Sequence, residues 1–376
     1  MVNSQVVKEL NKVLEVLPEG FVIRNEAGSR FVVLPYETYE RLIGKKYKIL
    51  VTGGAGFIGS HVVDHLIRLG QDVVVLDDLS GGFAENLNPS AQFVQGSIND
   101  RDLVESLFAE HKFTYVFHLA AYAAEGLSHF IKKFNYENNL IGSINLINAA
   151  VRHEVKCFVF TSSIAVYGAG QVPMTEETTP EPEDPYGIAK YAVEMELESS
   201  HQMFGLNYII FRPHNVFGEK QNIGDKYRNV IGIFMNQIMQ GQPLTVFGDG
   251  EQQRAFTYIE DVAKAIAKSV TIPEAYNQVF NLGADEAITV NELARMIGEA
   301  MGKLPEIRYL PARNEVKVVY SDHTKAKKLF GYETTVSLAD GINRMAEWAK
   351  AHGSRKSKKF ANIELTKNLP PVWLED

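Results

Sequence analysis

The segment that most limits what this chain can become is the passage from KILV, residues 48–51, into TGGAGFIGSH, residues 52–61. An apolar, strand-like run enters a glycine-rich turn, and the turn opens a stretch of helical periodicity that begins at Phe57 and Ile58. Gly53, Gly56 and Gly59 let the backbone turn tightly, approach a pyrophosphate closely, and pack the helix against the strand. The first helical amides then face the phosphates, aided by the helix dipole. Any tight strand-to-helix connection favours glycine, so the turn alone says little. The next apolar run, DVVVLD, ends in Asp77, about 20 residues beyond the turn, where a carboxylate meets the hydroxyls of an adenosine ribose. Asp78 adds a second negative charge, and no Arg or Lys follows in LSGGFAEN. A 2′-phosphate would be repelled there. The cofactor expected is NAD rather than NADP.

Beyond the turn the same texture repeats. The runs YKILVTG, DVVVLDD, QFVQG, YVFHLA, KCFVFTSS and NYIIFRP alternate with helical stretches, clearest at 57–69, 137–153 and 186–204. Buried strands alternating with helices predict an α/β fold, a doubly wound parallel Rossmann sheet, here over residues 47–214. Residues 215–352 read as a smaller C-terminal α/β substrate-binding lobe, with elements near 255–285 returning to the sheet. Residues 1–46 read as an appendage: a short helix at Val6–Leu17, a hairpin of GFVIR and RFVVL around NEAGS, and a helix through YETYERLIG. The tail, 353–376, begins with GSRKSKK, expected as a solvated linker, and ends with Pro370, Pro371 and Trp373 able to dock as an extended segment. The chain has 376 residues and a formal charge of −8, without the basic footprint of a general nucleic-acid or membrane-surface binder. Its one cysteine, Cys157, excludes an internal disulfide and a multi-cysteine zinc site, and no metal is expected. No run approaches the roughly 18 apolar residues of a membrane span, and the first residues lack signal-peptide character. A soluble, cytoplasmic protein is the expectation.

A second constellation lies later in the chain. Tyr186 and Lys190 stand four apart at the start of PYGIAKYAVEMELE, which puts both on one helix face. A phenol is a poor base at neutral pH, but a neighbouring ammonium and a positive nicotinamide ring both favour the phenolate, so a lowered value is expected. Upstream, SSIAVYG brings Ser162 and Ser163 to the end of a strand, where a hydroxyl can bond a reacting sugar oxygen. In isolation a tyrosine four before a lysine is usually a surface pair. The glycine turn and the serines at the expected distance argue otherwise.

Taken together, TGGAGFIGSH, HLAA at His118–Ala121, NNLIGSIN, SSIAVYG, YGIAK at Tyr186–Lys190, RPHNVFG and GDGEQQRAFTYIEDV resemble the extended short-chain dehydrogenase/reductase superfamily, specifically its NAD-dependent nucleotide-sugar epimerases and dehydratases. The resemblance covers roughly Tyr47 to Trp348. It implies that Tyr186 is the catalytic base, that Lys190 holds the nicotinamide ribose, and that Ser163, with Ser162 beside it, bonds the sugar hydroxyl. Leu119, Ala120, Ala121, Asn138, Pro213 and His214 would line the cofactor cleft, with Ser97 and Ile98 at the adenine. A UDP-sugar would be gripped by Asn215, Asn229, Val230, Phe247, Arg254 and Arg313, arginine supplying a planar fork for diphosphate. A homodimer through a four-helix interface, from helices near 137–153 and 186–204, is implied as well.

The sequence departs from the family in ways that bear on the reaction. Family members often carry aspartate where Ser97 stands, so Asp100 is a candidate replacement at the adenine. Where many 4-epimerases have a lysine near the pyrophosphate the chain has Ala123, and Glu125 follows as a candidate sugar contact, with His129 expected to be structural. Dehydratases place an Asp-Glu pair where Ile164 and Ala165 stand, decarboxylases a glutamate, and 3,5-epimerases a cysteine; none is present here. An acid to protonate a departing hydroxyl is therefore missing. Epimerisation at C4 through a 4-keto sugar is the reading left standing, with a glucose, glucuronate or N-acetyl UDP-sugar as substrate. Val319, where an aromatic residue excludes N-acetyl groups in other members, favours room for that group. The rivals are other nucleotide-sugar enzymes of the same fold and a dinucleotide-sensing regulator, which would not need Tyr186 and Lys190. The enzymes are a 4-keto reductase, which would prefer the 2′-phosphorylated cofactor, a dehydratase, or a GDP-mannose 3,5-epimerase-like enzyme, whose branch RPHNVFG resembles.

Overall fold

The computed structural model describes residues 21–24, 30–33, 46–169, 172–312, 318–357 and 359–374. Seven strands form the central sheet: β1 (Lys48–Thr52), β2 (Asp72–Asp77), β3 (Gln92–Gln95), β4 (Tyr115–His118), β5 (Cys157–Thr161), β6 (Tyr208–Pro213) and β7 (Gln278–Leu282). Their order across the sheet is β7-β6-β5-β4-β1-β2-β3, every neighbouring pair parallel. Chain direction across the sheet reverses between β1 and β4, and ligands of such sheets bind outside the carboxyl ends at that switch point.

Both faces of the sheet are covered at its centre, which is why the inner strands read as nearly unbroken apolar runs. Ile49, Val51, Val73, Val75, Phe117 and Val159 join one core with Val62, Val63 and Leu66 of α1 (Phe57–Arg68). Leu50, Val74, Val116, Phe158 and Ile210 point the other way, against α2 (Arg101–His111), α3 (Gly142–Arg152) and α4 (Pro185–Phe204). α4 starts sharply because Pro185 suits the first helical position and the Asp184 carboxylate accepts the Gly187 N–H at 2.9 Å. It stops at Gly205, where φ is +74°.

The smaller lobe holds α5 (Val230–Met239), α7 (Val290–Met301) and α8 (Leu338–His352), with Leu244–Phe247 paired in parallel to Ile307–Leu310. Between α5 and α7 the chain returns to the sheet, where α6 (Ile259–Lys268) packs beside α1 and β7 pairs with β6. Of the expected appendage, the two hairpin strands are described: Phe21–Arg24 runs antiparallel to Arg30–Val33. The helices expected on either side lie outside the described residues. Among the described residues no helix is long and apolar enough to cross a membrane.

Candidate active site

A cleft of about 1580 Å³ opens over the carboxyl ends of β1, β2, β4, β5 and β6. At one end the glycine turn makes a close-fitting cradle. Gly53 has φ +73°, and a Cβ there would stand 2.6 Å from the Ala120 nitrogen. A Cβ on Gly59 would lie 2.0 Å from the Gly53 carbonyl oxygen. α1 has no side-chain cap, so its first amides are presented to whatever fills the cradle. Asp77 closes the end of β2, its two carboxylate oxygens accepting the Ala55 N–H at 3.0 Å and the Leu79 N–H at 2.8 Å. Burial raises this carboxyl above its usual range. Each oxygen keeps a lone pair for a ribose hydroxyl. Asp78, Ile98, Leu119, Ala121 and Asn138 line the cleft, and these residues together fit a dinucleotide.

Two adenine-side expectations come out differently. Gly96 and Ile98 line the cleft, whereas the Ser97 hydroxyl accepts the Asn99 N–H at 3.2 Å. Asp100 is not a replacement contact, because its carboxylate caps α2 by accepting the Leu103 N–H at 3.0 Å.

Under the cleft floor runs a buried relay that local patterns do not reveal. Thr52 Oγ1 accepts the Ala120 N–H at 3.3 Å and donates to His118 Nδ1 at 2.7 Å. That assignment places the ring proton on Nε2, which donates to Ser143 Oγ at 2.8 Å, and Ser143 donates on to the Asn139 carbonyl at 2.8 Å. Burial, reinforced by Lys190, drives His118 well below the ordinary histidine value, so it stays neutral. Asn139 then bonds both backbone groups of Tyr122, and Asn135 donates to the Pro185 carbonyl at 2.8 Å. β1, β4, α3 and the start of α4 are thereby tied together beneath the reacting groups.

Those reacting groups meet at the head of α4. Tyr186 and Lys190 are both buried and line the cleft, with Lys190 Nζ 5.8 Å from the Tyr186 ring centroid. Lys190 donates to the Thr161 carbonyl at 2.8 Å and sits 4.7 Å over the Phe160 ring. Burial pushes its ammonium down to about 7, with Glu194 acting against the shift. The Tyr186 phenol is raised, not lowered as the sequence led us to expect. Burial is the main cause and the Glu125 carboxylate adds to it, while the Ser163 hydroxyl and Arg228 favour the phenolate. Spacing put Lys190 on the right face without revealing that its ammonium is drawn to β5. Ser163 lines the cleft and accepts the Ala165 N–H at 3.1 Å. Ser162 instead donates to the Glu194 carboxylate, which also accepts Arg212 Nε at 3.0 Å, so its hydroxyl belongs to a buried ion pair.

At the far end, Asn215, Asn229, Val230, Phe247 and Arg254 all line the cleft. Asn215 and Asn229 hold left-handed backbone, φ +43° and +27°, and each amide donates to a backbone carbonyl, Ala255 and Val216 respectively. Strain of this kind persists where surroundings over-determine it, often at ligand sites. Arg254 Nη1 donates to the Gln253 carbonyl at 2.8 Å. Arg313 lies outside the described residues, as does the side chain of Val319. Pro213 lines the cleft, but His214 turns away from it and stacks on His323, with 3.2 Å between the two Nε2 atoms. His129 lies on the cleft wall. Arg228, which sequence reasoning passed over, is held by Asp225 at 2.6 Å and lies 4.7 Å over the Tyr122 ring. No periodicity marks it, since it comes from the irregular stretch before α5.

Comparison with known proteins agrees with this geometry. A model of the NAD dependent epimerase/dehydratase family matches residues 49–283. A putative UDP-glucose 4-epimerase of Methanocaldococcus jannaschii is 37% identical over 306 residues, 80% of this chain and 98% of its own length. The crystal structure of a Thermotoga maritima UDP-glucose 4-epimerase with UDP-glucose is 40% identical, with a TM-score of 0.78 over 81% of this chain and 99% of that one. A Bacillus cereus UDP-glucuronic acid 4-epimerase, solved with UDP-glucuronic acid and NAD, is 30% identical with a TM-score of 0.75, over 81% of this chain and 99% of that one. With the glycine cradle, Asp77 and the Tyr186–Lys190 pair gathered in one cleft, the chain belongs to the NAD-dependent epimerase/dehydratase family, and its cofactor is NAD.

Proposed function

We propose that this isomerase inverts C4 of a UDP-hexose. The observation that carries the reading is the meeting of Tyr186, Lys190 and Ser163 beside the dinucleotide cradle. NAD, when bound, supplies a centre that accepts hydride from C4 and returns it to the opposite face. Tyr186 takes the proton of the 4-hydroxyl as hydride leaves, and gives it back as the carbonyl is reduced. Ser163 orients that oxygen, and Lys190, fixed by Thr161, holds the ribose next to it. Ile164 and Ala165 line the cleft where a dehydratase needs carboxyl groups, which speaks against loss of water. Asn215, Asn229, Val230, Phe247 and Arg254 are read as the grip on the nucleoside diphosphate, and Glu125 as a sugar contact.

No oxidant is consumed in this cycle, so resident cofactor suffices. Incubating the purified protein with UDP-glucose, UDP-glucuronate, UDP-N-acetylglucosamine and GDP-mannose, without added cofactor, should yield a C4-inverted UDP-sugar by proton NMR. Glucuronate is included because Arg228 places a cation near Tyr186. Absence of product from all four, from protein that still releases NAD on denaturation, would overturn the epimerase reading.

The assembly is read as a homodimer through α3 and α4. Ile188, Met195 and Met203 are 42%, 55% and 73% exposed along α4, and Ile141 is 52% exposed just before α3. A row of large apolar side chains open to water is what an unpaired interface looks like. Light scattering should give twice the 42.0 kDa chain mass, and Met195→Glu should shift the protein toward monomer. A monomeric wild type would end this assignment. We place the protein in the cytoplasm, where a single unpaired thiol, here buried in β5, persists in reduced form.

A further inference from the structure

The chain continues past α8 into GSRKSKKFANIELTKNLPPVWL, residues 353–374. Its basic start reads as a solvated linker and its end as a segment able to dock. The end does dock, and the start is anchored as well. Arg355 exchanges hydrogen bonds with the Asn236 side chain of α5 at 2.8 and 2.9 Å, while its guanidinium pairs with Glu85 and lies 3.8 Å over the Phe83 ring. One residue thus pins the tail to both sides of the cleft.

From Phe360 onward the tail packs on the segment from Tyr122 to Phe134 and on Tyr227, and it borders the cleft that Tyr186 also lines. The Phe360 ring packs 5.3 Å from Tyr122 and 5.0 Å from Phe134, and its N–H donates to Tyr227 Oη at 3.0 Å. The Glu364 carboxylate accepts the Lys133 and Phe134 N–H groups at 2.9 and 3.0 Å, at the start of a short helix, and the Glu364 N–H donates to the Phe130 carbonyl at 2.8 Å. Trp373, only 3% exposed, stands edge-on to Phe130 and Tyr227. These contacts form a small apolar core of their own, with Ala124, Leu127, Ile131 and Leu369 at its centre, apart from the two cores of the sheet.

That core supports the groups that act on Tyr186. Glu125 sits in its loop, and Arg228 follows Tyr227 directly and lies over Tyr122. The tail also shows a face to the cleft, through Leu365, Lys367, Asn368, Pro370, Pro371 and Val372. Prolines with fixed φ make such a face stiff, so it yields little to a bulky guest. About a fifth of this chain has no counterpart in relatives that are themselves matched almost end to end.

We propose that residues 359–374 form a fixed wall of the sugar pocket and set which sugar it admits. The inference rests on the UDP-sugar reading and adds a specificity determinant to it. The strap is a positioning element, since the reacting proton is handled by Tyr186.

The test compares the wild-type holoenzyme with Trp373→Ala, Glu364→Gln and a chain ending at Gly353, by calorimetric titration with UDP, UDP-glucose and UDP-N-acetylglucosamine. UDP should bind all forms within about twofold, because its grip lies elsewhere, while the ratio of the two UDP-sugar affinities changes by about tenfold or more in Trp373→Ala. An unchanged ratio in Trp373→Ala and Glu364→Gln, whatever happens to thermal stability, would reduce the tail to a brace and overturn the proposal, even if the shortened chain does not fold. Wild-type protein that binds neither UDP-sugar would bring down the underlying substrate reading instead, and this inference with it.

Discussion

Tyr186→Phe should lower turnover by about 10²–10⁴-fold while leaving NAD bound and the fold intact. The ring is buried and packs in place without its hydroxyl, so the change removes the proton acceptor and little else. Its phenol is made hard to ionise, chiefly by burial and further by the Glu125 carboxylate. The Ser163 hydroxyl and Arg228 favour the phenolate, and a positive nicotinamide ring would add to them in bringing it toward neutral pH. Wild-type activity should therefore rise with pH across the neutral and alkaline range, as the fraction of phenolate grows. Residual activity of the phenylalanine variant should lack that rise. Glu125→Gln, which removes a negative neighbour, should shift the wild-type profile toward lower pH. A Tyr186→Phe enzyme within a few-fold of wild type would remove the phenol from the chemistry.

The largest loss of stability should come from Glu194→Ala, at about 3–5 kcal/mol in urea unfolding. Glu194 and Arg212 are both about 95% shielded from solvent, and the carboxylate also takes the Ser162 hydroxyl. Burial disfavours the Arg212 charge, and the Glu194 carboxylate, with Tyr167, more than offsets this. Removing the carboxylate leaves that cation desolvated and stacked over Tyr167 without its ion-pair partner. It also removes the negative charge that supports the Lys190 ammonium. Activity and stability should fall together. A double variant, Glu194→Met with Arg212→Met, should be less destabilised than Glu194→Ala, because no unpaired charge is left behind. A cost below about 1 kcal/mol for the single variant would mean that water reaches the pair.

What the sequence made legible follows from how each feature is encoded. β1, β2, β4, β5 and β6 could be read because strands covered on both faces are written as contiguous apolar runs. The cradle could be read because the backbone has room only for glycine at Gly53 and Gly59. Glu194 was within reach too, as it continues the helix face of Tyr186 and Lys190 by one more turn. Arg228 and the Thr52–His118–Ser143 relay were not, because each is defined by partners far away in the chain; the tail's end could be read as able to dock, but not what it docks on. The Tyr186 phenol was misjudged for a related reason: periodicity gives the face of a side chain, whereas its ionisation depends on burial and on a carboxylate from another loop. His214 was placed in the cleft from its motif alone, and the room it occupies, against His323 behind Gly283, is a tertiary fact.

The late return of β7 to the sheet has a consequence for how the molecule comes to be made. β6 must wait for its outer neighbour until the chain through α5 and α6 has been synthesised, and until then one apolar edge with unpaired amides stays open. During synthesis the nascent chain therefore carries a nearly complete nucleotide-binding half that cannot seal itself. Splitting the gene after Pro213 would leave that edge open permanently, so the two halves should be recoverable in soluble form only when produced together.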